Sequence, residues 1–283
     1  MDSQKTLLDI AQKCFDFINP KLNNYSDFTS ELAKVVKVKD LENIQYSFDL
    51  ELDLVIKNEI QAIPAKVFSE ESGWYETSPN YEYKIIYDPF CNSSLASKSF
   101  REAAMGISLF TKDNAWIASL ILDYQNGLIG YVEKGNSTKF YQVQSLAEIN
   151  VPSKATTSLA TAWSVITLET IQERLKLGDM LPLVSQVGRL IVSSGHIYWL
   201  KLAVGVIDIY VDPVGGEELY EMFAATVTQG AGCIVTDLTN NNFDPSKMLT
   251  EFENNRHFTY FPVAASNKVL HQELLASLQG QTL

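Results

Sequence analysis

Three β-rich runs in close succession, Met105–Phe110, Trp116–Tyr124 and Leu128–Val132, constrain this chain more than any other feature. Gln125-Asn126-Gly127 between the last two reads as a tight turn, because Asn and Gly tolerate the left-handed backbone that short hairpins need. A further run, Lys139–Val143, follows the Gly135-Asn136 turn, and Tyr83–Tyr87 precedes the set and is expected to stop at Asp88-Pro89. Strands of this kind need a covering layer. Leu7, Leu8, Ala11, Cys14, Phe15 and Ile18 recur at helical spacing up to Pro20, which predicts one such helix, and a second is expected over about Leu52–Ala62.

Apolar periodicity lapses around Glu148–Thr157, so a boundary is placed there, giving an amino-terminal half, 1–150, and a carboxy-terminal half, 151–283. Beyond it Leu168–Leu177, His196–Val204 and Glu217–Thr228 read as helices, the last ended by Gly230-Ala-Gly232. Val206–Val211, Cys233–Thr236 and Phe258–Val263 read as strands, and Asn267 as the N-cap of a final helix through Leu278. Strands and helices alternate in both halves, which predicts an α/β or α+β sandwich.

With 283 residues, 46% apolar and 20% charged, the chain can bury a sizeable core in one large or two medium domains. Its formal charge of -12 argues against a nucleic-acid backbone or an anionic membrane as main partner, since those need clustered Lys and Arg. Three widely spaced cysteines, Cys14, Cys91 and Cys233, write neither a disulfide framework nor a CxxC metal site, so a reducing, cytoplasmic setting is expected. The amino terminus lacks the layout of a signal peptide, and the most apolar stretch, Ile197–Val211, is broken by Lys201 and Asp208. No membrane anchoring is expected.

His196, His257 and His271 lie far apart without a neighbour at metal-ligand spacing and read as surface or structural residues. Cys91 has no adjacent base, and Gly215-Gly216 is followed by Glu217-Glu218, which would repel phosphate. Gly73–Glu82 reads either as a mobile flap or as a packed surface loop. The chemistry concentrates instead in Ser69-Glu70-Glu71-Ser72 and in the strand that delivers Asp88, followed by Pro89-Phe90-Cys91-Asn92-Ser93-Ser94. Two carboxylates at strand ends, with the Phe90 carbonyl, make an oxygen cage for a hard cation such as Mg2+, or else simply an acidic surface.

The segment resembles the inositol monophosphatase motif, in which Gly-Glu-Glu precedes Asp-Pro-(Ile/Leu)-Asp-Gly-(Thr/Ser), and the related fructose-1,6-bisphosphatase version ending in Ser-Ser. Glu70, Asp88, the Phe90 carbonyl, Ser93 and Ser94 fall on matching positions, whereas Cys91 replaces the second Asp and Asn92 the Gly. Asp53, with Ile56 and Ile60, is similar to the Thr-Asp helix start whose Asp partners the motif Thr/Ser. In the second half Ser193-Ser194-Gly195 and Gly205–Asp212 resemble the Gly-Ser-Ala-Ala and Gly-x-x-Asp-x-Tyr-x-Glu runs, and Glu218-Leu219-Tyr220-Glu221 resembles the bisphosphatase Leu-Tyr-Glu.

The resemblance implies the layered α-β-α-β-α sandwich of the sugar-phosphatase superfamily and a Mg2+-dependent phosphomonoesterase of small polyol or sugar phosphates, with a homodimer possible. It implies Glu70, Asp88, Phe90 and Glu221 as metal ligands, with Asp53, Glu70 and Ser93 as catalytic residues, of which Ser93 and Asp53 orient the attacking water. Asn92, Ser93, Ser94, Ser194, Gly195 and Asp212 would bind substrate. Thiol chemistry at Cys91 matches Mg2+ poorly. Three readings therefore stand: a working phosphatase with an unusual metal set, a non-catalytic relative that binds a phosphorylated ligand or a protein partner, and an α/β protein of unrelated activity.

Overall fold

A computed structural model describes residues 1–23, 34–38, 44–97, 102–151, 156–168, 174–213, 215, 218–254 and 260–280. The chain gathers into two compact units, Met1–Gly135 with Lys139–Ile149, and Asn136–Thr138 with Asn150–Leu283.

The first unit opens with α1 (Ser3–Leu22), whose N-cap Asp2 accepts a hydrogen bond from the Lys5 amide. Pro20 does not end this helix as expected, because a missing amide in the last turn removes only one of its final bonds. Then come β1 (Val35–Val38), β2 (Ile44–Tyr46), α2 (Ser47–Ile60), β3 (Ala65–Ser69), β4 (Gly73–Glu76), β5 (Tyr83–Cys91) and the single-turn α3 (Ser93–Ala96). β6 (Ala104–Thr111), β7 (Trp116–Asp123), β8 (Leu128–Glu133), β9 (Lys139–Gln142) and β10 (Ala147–Ile149) complete it. Eight strands form one sheet in the order β10-β9-β8-β7-β6-β5-β3-β4, antiparallel throughout except where β3 meets β5. β1 and β2 form a separate antiparallel pair.

Leu7, Ile10, Cys14 and Ile18 of α1 and Leu52, Ile56 and Ile60 of α2 share one core with Ile85, Tyr87, Ile107, Leu109, Leu120 and Leu122 of the sheet. At about 25 cal/mol per Å² of apolar surface removed from water, this face stabilises the unit, and a one-residue slip would exchange its side chains with those of the other, also buried, face. The helix expected from Leu52 starts at Ser47 instead, where the Tyr46 amide donates to Asp49 Oδ2 at 2.8 Å and sets an earlier end. Gly73–Glu76 is no flap. It is edge strand β4, paired in register with β3, with Trp74 edge-on to Phe68 at 5.3 Å.

The second unit contains β11 (Trp163–Ile166), α4 (Leu177–Val184), β12 (Arg189–Val192), α5 (His196–Ala203), β13 (Ile209–Val211), α6 (Leu219–Met222), α7 (Ala225–Gly230), β14 (Ile234–Thr236), α8 (Pro245–Asn254), β15 (Val263–Ala265) and α9 (Lys268–Leu278). Its sheet runs β12-β11-β13-β15-β14, parallel across β12-β11-β13 and antiparallel beyond. The Asn267 cap holds as expected, its Oδ1 accepting from the Leu270 amide at 3.0 Å. The helix expected from Glu217 to Thr228 is two pieces, α6 and α7, and residue 217 lies outside the described residues. Residues 169–173 of the expected Leu168–Leu177 helix, residues 258 and 259 of the last strand, His257 and Gly216 also lie outside them. No helix among the described residues is long and apolar enough to cross a membrane.

Candidate functional site

The parallel pairing of β3 and β5 sets Ser69 beside Tyr87, so Glu70, the first residue after β3, follows next to Asp88, which lies within β5. The Glu70 amide donates to the Tyr87 carbonyl at 3.2 Å, which holds the two ends together. The backbones of the two acidic residues that the sequence singled out are thus set side by side, independently of any ligand.

Asp53 lies one layer beneath them. It is 2% exposed, its Oδ1 accepting from Ser69 Oγ at 2.5 Å and Tyr87 OH at 2.6 Å, and its Oδ2 from Ser72 Oγ at 2.7 Å and the Lys57 ammonium at 2.7 Å. Burial pushes its pKa up, but Lys57 and the hydroxyls of Ser69, Tyr87 and Ser72 outweigh it and hold the carboxyl below 3.8. The Tyr75 hydroxyl meets that of Tyr87 at 3.2 Å, and burial pushes its own pKa up to about 12. Asp53 was expected to pair with Ser93. Its partners among the described residues are these four instead, because α2 begins five residues early and carries Asp53 into its second turn.

The first turn of α2 holds Asp49, a buried carboxylate that sequence reading passed over. Burial, Cys14, Asp88 and Asp49 all raise the pKa of the buried Tyr124 phenol, in that order with Asp49 last, so two buried carboxylates act on one hydroxyl. Asp49 could have been found from its spacing to Tyr46, the N-terminal signature just before the apolar stripe of α2.

β5 does not stop at Asp88-Pro89. It continues to Cys91 through a bulge: Asp88 pairs with Gly106, and after a register shift Cys91 pairs with Ala104. Pro89 sits in the bulge, where no ladder amide is required. Gly106 and Ala104 are two apart on β6 and share a face, so the extra residue brings Asp88 and Cys91 onto one face as well. A carboxylate oxygen of Asp88 and the Cys91 sulfur lie within 4.8 Å of each other. Asp88 Oδ1 accepts from the Phe90 amide at 2.8 Å, and Tyr124 OH donates to the Pro89 carbonyl at 2.7 Å. The Phe90 ring packs on Phe48 and Tyr124, with centroids at 4.6 and 5.2 Å, which anchors the segment.

Asn92 then adopts φ 67°, ψ 32°, the left-handed conformation that the sequence reading allowed for Asn at a Gly position. Ser93 and Ser94 follow as the first residues of α3, half-buried and exposed. The Asp88 and Glu70 carboxylates suit a hard divalent cation such as Mg2+, whereas a sulfur ligand at Cys91 does not.

In the second unit Gly195 has φ 94°, ψ 177°, a backbone that a side chain would strain, and it leads into α5 after the buried Ser193 and half-buried Ser194. Asp212, fully buried at the end of β13, accepts from the Gly215 amide at 2.8 Å and donates its own amide to the Pro262 carbonyl at 3.1 Å. Asp208 locks β11 beside β13, its Oδ2 accepting from the Trp163 amide at 2.9 Å. Glu221 is half-buried on α6. His196, expected to lack a ligand neighbour, has a ring nitrogen within 4.8 Å of a Glu221 carboxylate oxygen. Separation along the chain hid that pair. His271 is structural as expected: its Nε2 bonds Thr236 Oγ1 at 2.9 Å, and burial lowers its pKa.

No family model matches the chain, and no curated protein matches it by sequence. Solved structures do match it in shape. Extragenic suppressor protein SuhB from Bartonella henselae is 16% identical, with 99% of each chain covered and a TM-score of 0.78. Inositol monophosphatase from Anabaena (Nostoc) sp. PCC 7120 is 17% identical over 99% of this chain and 98% of that one, with a TM-score of 0.71. An IMPase/NADP phosphatase complexed with Mg2+ and phosphate is 12% identical over 93% and 92%, with a TM-score of 0.67. Together with the mixed α+β architecture, these likenesses show that the chain has the inositol monophosphatase-type sandwich fold.

Proposed function

We propose that the chain is a phosphomonoesterase of the inositol monophosphatase type acting on a small polyol or sugar phosphate. The observation that carries this reading is Glu70, where β3 ends, beside Asp88 of the parallel strand β5, in a fold shared with phosphatases. For the second unit the proposal adopts the motif resemblance, which assigns Ser194, Gly195, Asp212 and Glu221 to substrate and metal contacts.

A divalent cation on Glu70, Asp88 and the Phe90 carbonyl would lower the pKa of a bound water and offset charge on the departing alkoxide. One similar structure was solved with Mg2+ and phosphate, in keeping with that chemistry. The chain's own contribution is positional. Ser69 and Tyr87, the residues that precede Glu70 and Asp88, are both tied to Asp53, so the backbone carrying the two acidic residues is set before any ligand arrives. Asn92, Ser93 and Ser94 supply amide and hydroxyl donors for ester oxygens, and Asp212 would accept a substrate hydroxyl. Asp53 enters the proposal as a positioning residue, not as the partner of Ser93.

A second reading is favoured by Cys91 and by the full engagement of Asp53: a catalytically impaired relative that binds a phosphorylated ligand or a protein partner. Phosphate release from inositol, fructose, histidinol and nucleotide phosphates, with Mg2+, Mn2+ or Zn2+, separates the two. The phosphatase reading expects release that Glu70→Gln reduces by at least about a hundredfold, the loss of a charge-stabilising group at the reacting centre. A silent native chain that gains activity on Cys91→Asp would establish the second reading. The proposal also takes the cytoplasmic setting expected from the cysteine usage and the homodimer implied by the family resemblance, and sedimentation would test the dimer.

A further inference from the structure

Cys91 is where Mg2+ chemistry and this chain part. Its sulfur lies within 4.8 Å of an Asp88 carboxylate oxygen, close enough for both to hold one ion. Asp88 is 1% exposed and Cys91 4% exposed, so a cation there exchanges most of its hydration for protein ligands. Mg2+ resists that exchange and prefers oxygen, whereas a borderline-soft ion such as Zn2+ accepts thiolate and carboxylate together at about 2.0–2.3 Å. The arrangement is built into the backbone. Without the extra residue in β5, Asp88 and Cys91 would point to opposite faces of the sheet.

The charge around the pair points the same way. Asp88 and Asp49 are both buried, so carboxyl groups are gathered in a part of the unit with little water. Lys57 is committed to Asp53. Independently, the second unit brings His196 and Glu221 within 4.8 Å of each other, an imidazole and a carboxylate, which is again a donor set that transition ions and Zn2+ take more readily than Mg2+ does.

We infer that Cys91, with Asp88, is a ligand for a thiophilic divalent cation of the Zn2+ class, and that the cation preference of this chain has moved away from Mg2+. The inference rests on the reading of Asp88 as a cation ligand, but its test does not depend on catalysis. The full chain, stripped of metal by chelation, is titrated with Co2+ as a coloured stand-in for Zn2+. The expected result is a thiolate-to-cobalt charge-transfer band in the near ultraviolet, displaced by Zn2+ and not by a large excess of Mg2+. The band is lost in Cys91→Ser, with Cys14 and Cys233 intact, and reduced in Asp88→Asn. Near-ultraviolet circular dichroism checks that each variant is folded. Cys91→Asp serves as the second variant: it replaces sulfur by oxygen, and Mg2+ binding measured by calorimetry should strengthen in it. His196→Ala tests the second pair by its effect on Zn2+ affinity. A native chain without the band, a band that survives Cys91→Ser, or Mg2+ that displaces Co2+ would overturn the inference. Absence of phosphate release with the band present would remove the phosphatase reading alone. Mg2+-driven release without the band would remove this one alone.

Discussion

Asn92 shows what a single position costs and permits. Its φ of 67° is the region where L-residues other than Asn, Asp and Gly are strained, by roughly 1–2 kcal/mol. Asn92→Gly should therefore leave stability nearly unchanged, while Asn92→Val should lower it by about that amount in chemical denaturation. Asp53 is the larger case, because one buried carboxylate serves three hydroxyls and an ammonium. Asp53→Ala leaves those donors stranded, and a loss of about 3–5 kcal/mol is expected, the range for breaking a buried pair. The sign of its pH dependence follows from its lowered folded-state pKa. The stabilisation is fully present above the unfolded value of about 3.9 and fades as pH falls through the folded value. The stability gap between the native chain and Asp53→Asn, measured by denaturation at stepped pH, should thus be constant near neutrality and close below about pH 4.

At the scale of elements, the bulge in β5 decides the chemistry more than any helix does. Sequence reading ends that strand at Pro89, since proline cannot donate to a ladder, yet a bulge needs no donor there and pairing resumes at Cys91. The start of α2 is a similar case. Propensity places it near Leu52, and the Tyr46–Asp49 bond moves it to Ser47, which puts Asp49 rather than Asp53 in the first turn. Where local chemistry and element end coincide, reading succeeds: the cap of α9 is legible in Asn267 alone. Asn267 also donates to the Thr156 carbonyl at 2.6 Å, so Asn267→Ala should cost at least the about 1 kcal/mol of a lost N-cap, seen as a lower Tm.

For the molecule as a whole, the β-rich runs from Tyr83 to Gln142 were legible because strands buried on both faces read as near-continuous apolar, β-branched runs between turn residues. β11 and β12 were not: Trp163–Ile166 and Arg189–Val192 are short, and Trp163, Leu190 and Val192 are substantially exposed, so no period marks them. The sequence by itself determined the fold class and which residue types stand at the motif positions, with the departure at Cys91, because these depend on residue type and on order along the chain. Only the tertiary structure decided which carboxylate stands where. Asp53 binds Ser69 and Tyr87, Asp88 meets Cys91 across a bulge and His196 meets Glu221, because register, helix start and chain crossing set side-chain distances that no spacing along the chain encodes.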